Sequence, residues 1–141
     1  MIVLLPTIKH TGSHFVLKKL LGAFERVPLK HAAFLEEEEQ GDIVIFDHLY
    51  PHKMPLWEPL LEKYPALVPL RNKQAVIDSW NRRREDLEDF YDQWGLLRGL
   101  LKYNVHFLNI DHKELRDHQI NSINRDLGIN LDPGEWEIVR K

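Results

Sequence analysis

The chain opens with Met1-Ile2-Val3-Leu4-Leu5-Pro6-Thr7-Ile8-Lys9-His10-Thr11-Gly12-Ser13-His14-Phe15. An apolar-rich stretch, residues 16–24, follows at once. A short apolar run that is bounded by Pro6 and Gly12 and leads into a helical stretch is typical of a buried parallel strand. The turn after such a strand presents free backbone N–H groups at a helix N-terminus, where an anion is favoured. The opening residues therefore predict a strand, an anion-binding loop and a helix.

The loop carries groups that suit a phosphate. Gly12 lets the backbone approach a ligand closely, and Thr11 and Ser13 offer hydroxyl donors. The nucleoside-triphosphate pattern Gly-x-x-x-x-Gly-Lys-Ser/Thr is absent, because the loop has a single glycine and Lys9 precedes it. We therefore expect an anion loop of another kind.

Two later segments also end in polar residues. Residues 42–51 form an apolar strand that ends in His48 and breaks at Pro51. Residues 66–80 form a strand that ends in Arg71 and enters a helix, and Ser79 lies eight positions after that arginine. Ligands of parallel α/β sheets bind at the carboxyl ends of the strands. All three segments place their polar residues there.

Taken in order, the three segments resemble the sulfotransferase family. That family has a strand followed by a Lys-Ser-Gly-Thr-Thr-Trp loop, a strand ending in Thr-His-Leu-Pro, and a strand ending in Arg-Asn-Pro with a serine eight residues after the arginine. The matching residues here are Thr11-Gly12-Ser13-His14-Phe15, His48-Leu49, Arg71-Asn72 and Ser79. The resemblance covers about residues 1–130. It implies a three-layer α/β sandwich with a mainly parallel central sheet, like that of P-loop NTPases and sulfotransferases.

The resemblance also implies an activity. The family transfers a sulfuryl group from 3′-phosphoadenosine 5′-phosphosulfate (PAPS) to a hydroxyl or amine, here of a small-molecule or carbohydrate acceptor. By the same resemblance His48 is the general base, and Lys9 or His10 stabilises the bridging oxygen. The implied cofactor-binding residues are Thr11, Gly12, Ser13, His14 and Phe15 around the 5′-phosphate and adenine, and Arg71 and Ser79 on the 3′-phosphate.

Three features depart from the family pattern. The position of the family's catalytic lysine falls on His10. Before His48, the family has a basic residue and a threonine, whereas this chain has Phe46 and Asp47. Residues 131–141 lack the family's Arg-Lys-Gly-x-x-Gly pattern. These departures favour a second hypothesis, a nucleotide-binding or regulatory protein of the same fold without turnover. A small kinase-like phosphotransferase is a third. In plainer interpretations His48 is an ordinary strand-end histidine, Arg71 a surface ion-pair partner and Phe15 a core residue.

The rest of the chain predicts alternating strands and helices. Pro28 suggests an edge segment at 26–30, because proline cannot donate to a central ladder. We further expect strands over 43–46, 67–70 and 105–110, and at most a two-turn helix in the proline-rich segment 51–65. A long helix over 73–94 would carry ion pairs between Arg82 and Asp86 and between Arg84 and Glu88. A last helix over 113–127 stops at Gly128.

Bulk composition bounds the function without choosing it. The 141 residues predict one domain, 1–141, and the net charge of −3 provides no general attraction to nucleic acid or anionic membranes. The chain has no cysteine, which excludes disulfides and thiolate ligands, and we expect no metal site. An apolar run of five residues is too short to span a membrane, so we expect a cytoplasmic protein. A homo-oligomer, in which a second copy of the chain completes a pocket, is a further alternative.

Overall fold

The computed structural model describes residues 1–11, 18, 24–34 and 41–131. Within them, five strands form one sheet: β1 (Ile2–Thr7), β2 (Glu25–Pro28), β3 (Ile43–His48), β4 (Ala66–Leu70) and β5 (Val105–Asn109). The strand order is β2-β3-β1-β4-β5, and every pair of neighbours is parallel. The predicted α/β class with a parallel sheet is confirmed, and β2 is an edge strand as Pro28 indicated.

Four α-helices have bounds within the described residues: α1 (Met54–Leu61), α2 (Lys73–Arg82), α3 (Leu87–Gly95) and α4 (Lys113–Leu127). Short 3₁₀ segments also occur over Leu29–Phe34, Pro51–Lys53 and Leu97–Lys102. The short helix predicted among the prolines is confirmed as α1. The predicted bounds of α4 are confirmed as well, and its end at Gly128 has a left-handed φ of 67°. The helix predicted over 16–24 lies almost entirely outside the described residues.

Side chains of the fully buried strand β1 alternate between two hydrophobic clusters, one on each face of the sheet. Leu4 belongs to a cluster that contains one aromatic residue from each of three helices: Trp57 of α1, Trp80 of α2 and Phe90 of α3. Leu5 belongs to the other cluster, which contains Ile120 and Ile123 of α4. Helices therefore cover both faces, an arrangement that is compatible with the three layers expected.

The seam between β1 and β4 is almost unpaired. Successive residues of a parallel strand hydrogen-bond to opposite neighbours. The Leu4 N–H donates toward β4, to the Pro65 carbonyl at 2.9 Å, so position 6 of β1 faces β4 as well. The Ala66 N–H donates toward β5, so Pro69 faces β1. Neither Pro6 nor Pro69 has an N–H to donate, and the pairing between β1 and β4 is confined to Leu4 and Ala66.

The helix predicted over 73–94 is two helices, and this prediction was wrong. Between α2 and α3, Arg84 has a left-handed φ of 55°. Asp86 then caps α3, because its Oδ1 accepts a hydrogen bond from the Glu88 N–H at 2.9 Å. Arg82 and Glu88 consequently lie on different helices, and the i to i+4 pairs expected at Arg82 and Arg84 lose their helical spacing.

Candidate functional site

The carboxyl end of β1 lies where the strand order reverses. The chain passes from β1 toward β2 on one side of the sheet, whereas it passes from β3 to β4 and then β5 toward the other side. Ligands of open parallel sheets bind in the crevice outside the strand ends at such a point. Pro6 and Pro69, which limit the pairing of β1 with β4, lie near the same ends of these strands. The ends of β3, β1 and β4 therefore form the candidate site.

His48 ends β3 beside Thr7, the last residue of β1. The two residues are register partners, and Thr7 Oγ1 lies 2.9 Å from His48 Nδ1. Asp47 anchors this strand end, because its Oδ1 accepts from the His48 N–H at 2.7 Å and its Oδ2 accepts from Lys53 Nζ at 2.6 Å. Since Thr7 is fully buried, the imidazole is oriented from its Nδ1 side by a group inside the sheet.

The first residues of the loop after β1 are tied to the protein interior. The Thr11 hydroxyl donates to the Ile8 carbonyl at 2.7 Å, and Trp80 Nε1 donates to the Lys9 carbonyl at 3.1 Å. His10 has a φ of 67°, a left-handed conformation that is uncommon outside glycine. The buried Thr11 hydroxyl thus serves the shape of the loop, and the left-handed turn at His10 brings two consecutive basic residues to one carboxylate.

That carboxylate belongs to Glu85, in the break between α2 and α3. Glu85 Oε2 accepts from Lys9 Nζ at 3.0 Å, and Glu85 Oε1 lies 2.7 Å from His10 Nε2. The Glu85 N–H donates to the Trp80 carbonyl at 3.1 Å, which holds the break against α2. The His10 ring contacts the Trp80 ring edge to face, at 5.6 Å between centroids. Glu85, which the sequence predicts within one long helix over 73–94, therefore lies in the candidate site.

Lys9, His10 and Glu85 influence one another's pKa values. The hydrogen bond to Glu85 raises the pKa of Lys9 above its ordinary value, although burial opposes this. Burial acts in the opposite sense on His10, whose pKa is lowered even though Glu85 favours the imidazolium. For Glu85, burial would raise the pKa, but the hydrogen bonds from Lys9 and His10 outweigh it and lower the pKa. At neutral pH Lys9 is therefore the cation of this cluster, and a neutral His10 with its proton on Nε2 donates to Glu85.

Arg71 follows β4 and reaches toward the same loop. Its side chain is 9% exposed, its Nη1 donates to the His10 carbonyl at 3.4 Å, and its Nε lies 3.6 Å from Asp111 Oδ1. Asp111 also accepts a hydrogen bond from the Asn72 N–H at 2.9 Å, so the carboxylate is shared. Among the described residues, Arg71 Nε is a buried donor without a hydrogen-bond acceptor. Arg71 therefore keeps a hydrogen-bond donor that is near Asp111 but not hydrogen-bonded to it, and a guanidinium is a group that binds phosphate.

The structure brings four of the predicted site residues together: Lys9, His10, His48 and Arg71 lie at the ends of three adjacent strands. Ser79 is different. It lies on α2 with 5% exposure, about 9 Å along the helix axis from the first residue of that helix. It faces the core beside Trp80. Gly12, Ser13, His14 and Phe15 lie outside the described residues.

Sequence reasoning missed Glu85, Thr7 and Gln93. Gln93 of α3 is fully buried, and its Oε1 accepts from the Lys9 N–H at 3.1 Å. One local signal for the break existed, since Asp86 with an acidic residue three positions later resembles a helix N-terminus. No local signal connects Glu85 or Gln93 to Lys9, because these contacts span 76 and 84 residues of chain.

In the part of the chain that the structure describes, no three His, Asp or Glu side chains are grouped as metal ligands. Within that part, no helix combines the length and the apolar character needed to cross a membrane. No protein family, curated protein or solved structure matches the chain. A functional conclusion therefore rests on the geometry of the strand ends.

Proposed function

We propose that this chain is a sulfotransferase-like protein of the P-loop type that transfers a sulfuryl group from PAPS to a hydroxyl or amine acceptor. The observation that carries the proposal is the convergence of His48, Lys9 and Arg71 on the carboxyl ends of β3, β1 and β4. A base, a cation and a guanidinium are the groups that proton removal, leaving-group stabilisation and phosphate binding require.

Arg71 is the described residue that supports binding of a bisphosphorylated nucleotide. Its side chain is almost completely buried, and one of its donors has no hydrogen-bond acceptor among the described residues. In the proposal Arg71 holds the 3′-phosphate, and the loop residues Thr11, Gly12, Ser13, His14 and Phe15 hold the 5′ side. Ser79 is given no contact with the nucleotide, because it is buried on the core side of α2. When bound, the donor supplies the sulfuryl group: the acceptor atom forms a bond to sulfur, the bond from sulfur to the bridging phosphate oxygen breaks, and adenosine 3′,5′-bisphosphate leaves.

His48 removes the acceptor's proton in this proposal. The contact between His48 Nδ1 and Thr7 Oγ1 is compatible with the role: in the tautomer whose Nδ1–H donates to Thr7, the basic lone pair is on Nε2. Lys9 stabilises the negative charge on the departing oxygen. Its pKa is raised by Glu85, so it keeps its charge throughout the neutral range. The chain's own work is alignment and charge stabilisation, as in phosphoryl transfer.

One observation favours a nucleotide-binding or regulatory protein without turnover. Glu85 already neutralises Lys9 at 3.0 Å and accepts from His10, so both residues at the expected leaving-group position are engaged. Such a protein would bind adenosine 3′,5′-bisphosphate and transfer nothing. Stabilisation by Mg-ATP instead of the bisphosphate would favour the kinase-like hypothesis.

Binding is tested first at Arg71. Adenosine 3′,5′-bisphosphate should raise the melting temperature more than adenosine 5′-monophosphate does, because a ligand that binds only the folded state stabilises it. Arg71→Lys should weaken bisphosphate binding by about tenfold, since it loses the guanidinium fork and a charge-assisted hydrogen bond. Arg98→Lys, on an exposed arginine, is the control. Equal stabilisation by both nucleotides would contradict a 3′-phosphate site.

Turnover is tested at His48. His48→Asn keeps polarity but cannot accept a proton at neutral pH, so sulfuryl transfer should fall by about 10²- to 10⁴-fold while the dissociation constant for the bisphosphate stays unchanged. His118→Asn, on an exposed histidine of α4, serves as the control. Near-wild-type turnover in the His48 variant would remove the proposed base. A wild-type protein that binds the bisphosphate but transfers to no acceptor would support the binding protein.

A further inference from the structure

A cleft of about 500 Å³ opens beside His48, at the carboxyl ends of β2 and β3. Its volume lies within the range of about 300 to 1,000 Å³ that is common for small-molecule sites. It lies on the β2 side of His48, whereas Arg71 lies on the β4 side. The two sides of the candidate site are therefore separate. The residues proposed above to bind the nucleotide do not line this cleft, so it has no ligand assigned to it.

The cleft is cationic although the chain is acidic. Three basic side chains line it, Arg26, Lys30 and Lys53, against one carboxylate, Asp47. Lys53 pairs with Asp47 at 2.6 Å. Among the described residues, no carboxylate lies within ion-pair distance of Arg26 or Lys30. Because the chain as a whole carries −3, this local excess of positive charge is a property of the cleft.

Two contacts shape the cleft for a small molecule. The guanidinium of Arg26 lies over the ring of Phe46, with 4.8 Å from its central carbon to the ring centroid. That contact holds the charge against the wall of the cleft and limits the freedom that binding would remove. Leu56 of α1, which is 48% exposed, adds an apolar surface to the lining. The lining thus combines cations, an apolar surface and the imidazole of His48.

We propose that this cleft binds the acceptor, and that the acceptor is a small organic acid that carries a hydroxyl group. Arg26 and Lys30 bind its carboxylate, Leu56 contacts its apolar part, and His48 lies within the same cleft to receive the hydroxyl proton. This inference rests on the proposed function for the role of His48. The binding of an organic acid in the cleft can be measured without any turnover.

The test compares two probes of nearly the same size and shape, 4-hydroxyphenylacetate, which carries a negative charge, and 4-hydroxyphenylacetamide, which is neutral. Their dissociation constants are measured by NMR titration of the full chain at low ionic strength. The acid should bind about three- to tenfold more tightly than the amide, and it should shift the His48 imidazole signals. Arg26→Gln and Lys30→Gln should each weaken acid binding by about two- to fivefold and leave amide binding unchanged. Lys113→Gln, on an exposed lysine of α4, is the matched control.

Equal binding of acid and amide by the wild-type chain would overturn the inference, whatever the variants do. An equal loss in Lys113→Gln would overturn it too, because the effect would then be one of overall charge. A different set of results would contradict the proposed function and leave this inference intact. In that case adenosine 3′,5′-bisphosphate would not bind, while the preference for the acid and its loss in the Arg26 and Lys30 variants would persist.

Discussion

Replacing Glu85 with Gln should separate two roles of this residue, because it lowers stability and raises anion affinity together. The substitution keeps the side chain's size and one acceptor oxygen but removes its charge. The charged contacts to Lys9 at 3.0 Å and His10 at 2.7 Å then become neutral ones. Since both contacts are partly exposed, we expect a loss of about 1 kcal/mol, which corresponds to a fall in melting temperature of about 3 °C.

The gain in affinity follows from Coulomb's law. A phosphate that touches Lys9 Nζ from the side opposite Glu85 would lie about 6 Å from that carboxylate, because each contact is about 3 Å long. At a water-like dielectric constant, the repulsion is about 0.7 kcal/mol per unit charge, or about 1.4 kcal/mol for a doubly charged phosphate. Its removal should tighten binding of adenosine 3′,5′-bisphosphate by about tenfold at low salt. Screening should reduce the gain to about threefold at 0.15 M salt.

Calorimetric titration at the two salt concentrations and thermal denaturation without nucleotide measure both effects. Glu88→Gln is the control, because Glu88 is an exposed glutamate in the first turn of α3. It removes the same charge at a different place. If Glu85→Gln leaves bisphosphate affinity unchanged, or if Glu88→Gln raises it equally, Lys9 does not contact the phosphate and the reasoning fails.

Two further predictions concern stability. The pKa values of His10, mainly through burial, and of Glu85, through its hydrogen bonds, are lower in the folded chain, so the unfolded chain binds more protons in acid. The free energy of unfolding, measured by urea denaturation, should fall as the pH drops below 6.5 and again below 4.5, the ordinary values of the two groups, and Glu85→Gln should remove the second fall. Arg84→Gly should stabilise the chain by about 0.5 kcal/mol in the same assay, because it relieves a left-handed φ of 55°. The control Arg83→Gly, at a φ of −88°, should destabilise the chain. A loss of stability in Arg84→Gly would contradict this account of the break.

The strands could be predicted because each carries its own local signal. β1, β3 and β4 are short apolar runs whose burial on both faces requires no alternation with polar residues. The edge position of β2 followed from Pro28. β1 continues through Pro6 to Thr7, although a proline in a central strand is normally excluded. Pro6 is tolerated since its missing donor faces a seam where Pro69 lacks one too.

The helix break could not be read from periodicity. Apolar residues continue at helical spacing through the segment that contains Trp80 and Tyr91, so the pattern predicts one helix. In the structure the buried residues of α3 are Phe90 and Gln93, whereas Tyr91 is 52% exposed. The break at Arg84 therefore rotates the second helix, and the apparent continuity of the pattern is a coincidence of two faces. Tertiary packing overrides the local pattern here.

The same break determines what the candidate site can do. A continuous helix would keep Glu85 on a regular helical turn, three positions after Arg82, and Lys9 would then be available to an anion. The observed break places Glu85 3.0 Å from Lys9, a residue 76 positions away, so whether this lysine can stabilise a leaving group depends on a contact that no local pattern predicts. Transferase and binding protein share every motif in the sequence. In our proposal they differ in whether Lys9, already paired with Glu85, can also stabilise a departing oxygen. The gain in bisphosphate affinity expected for Glu85→Gln measures how strongly that carboxylate opposes a phosphate at Lys9.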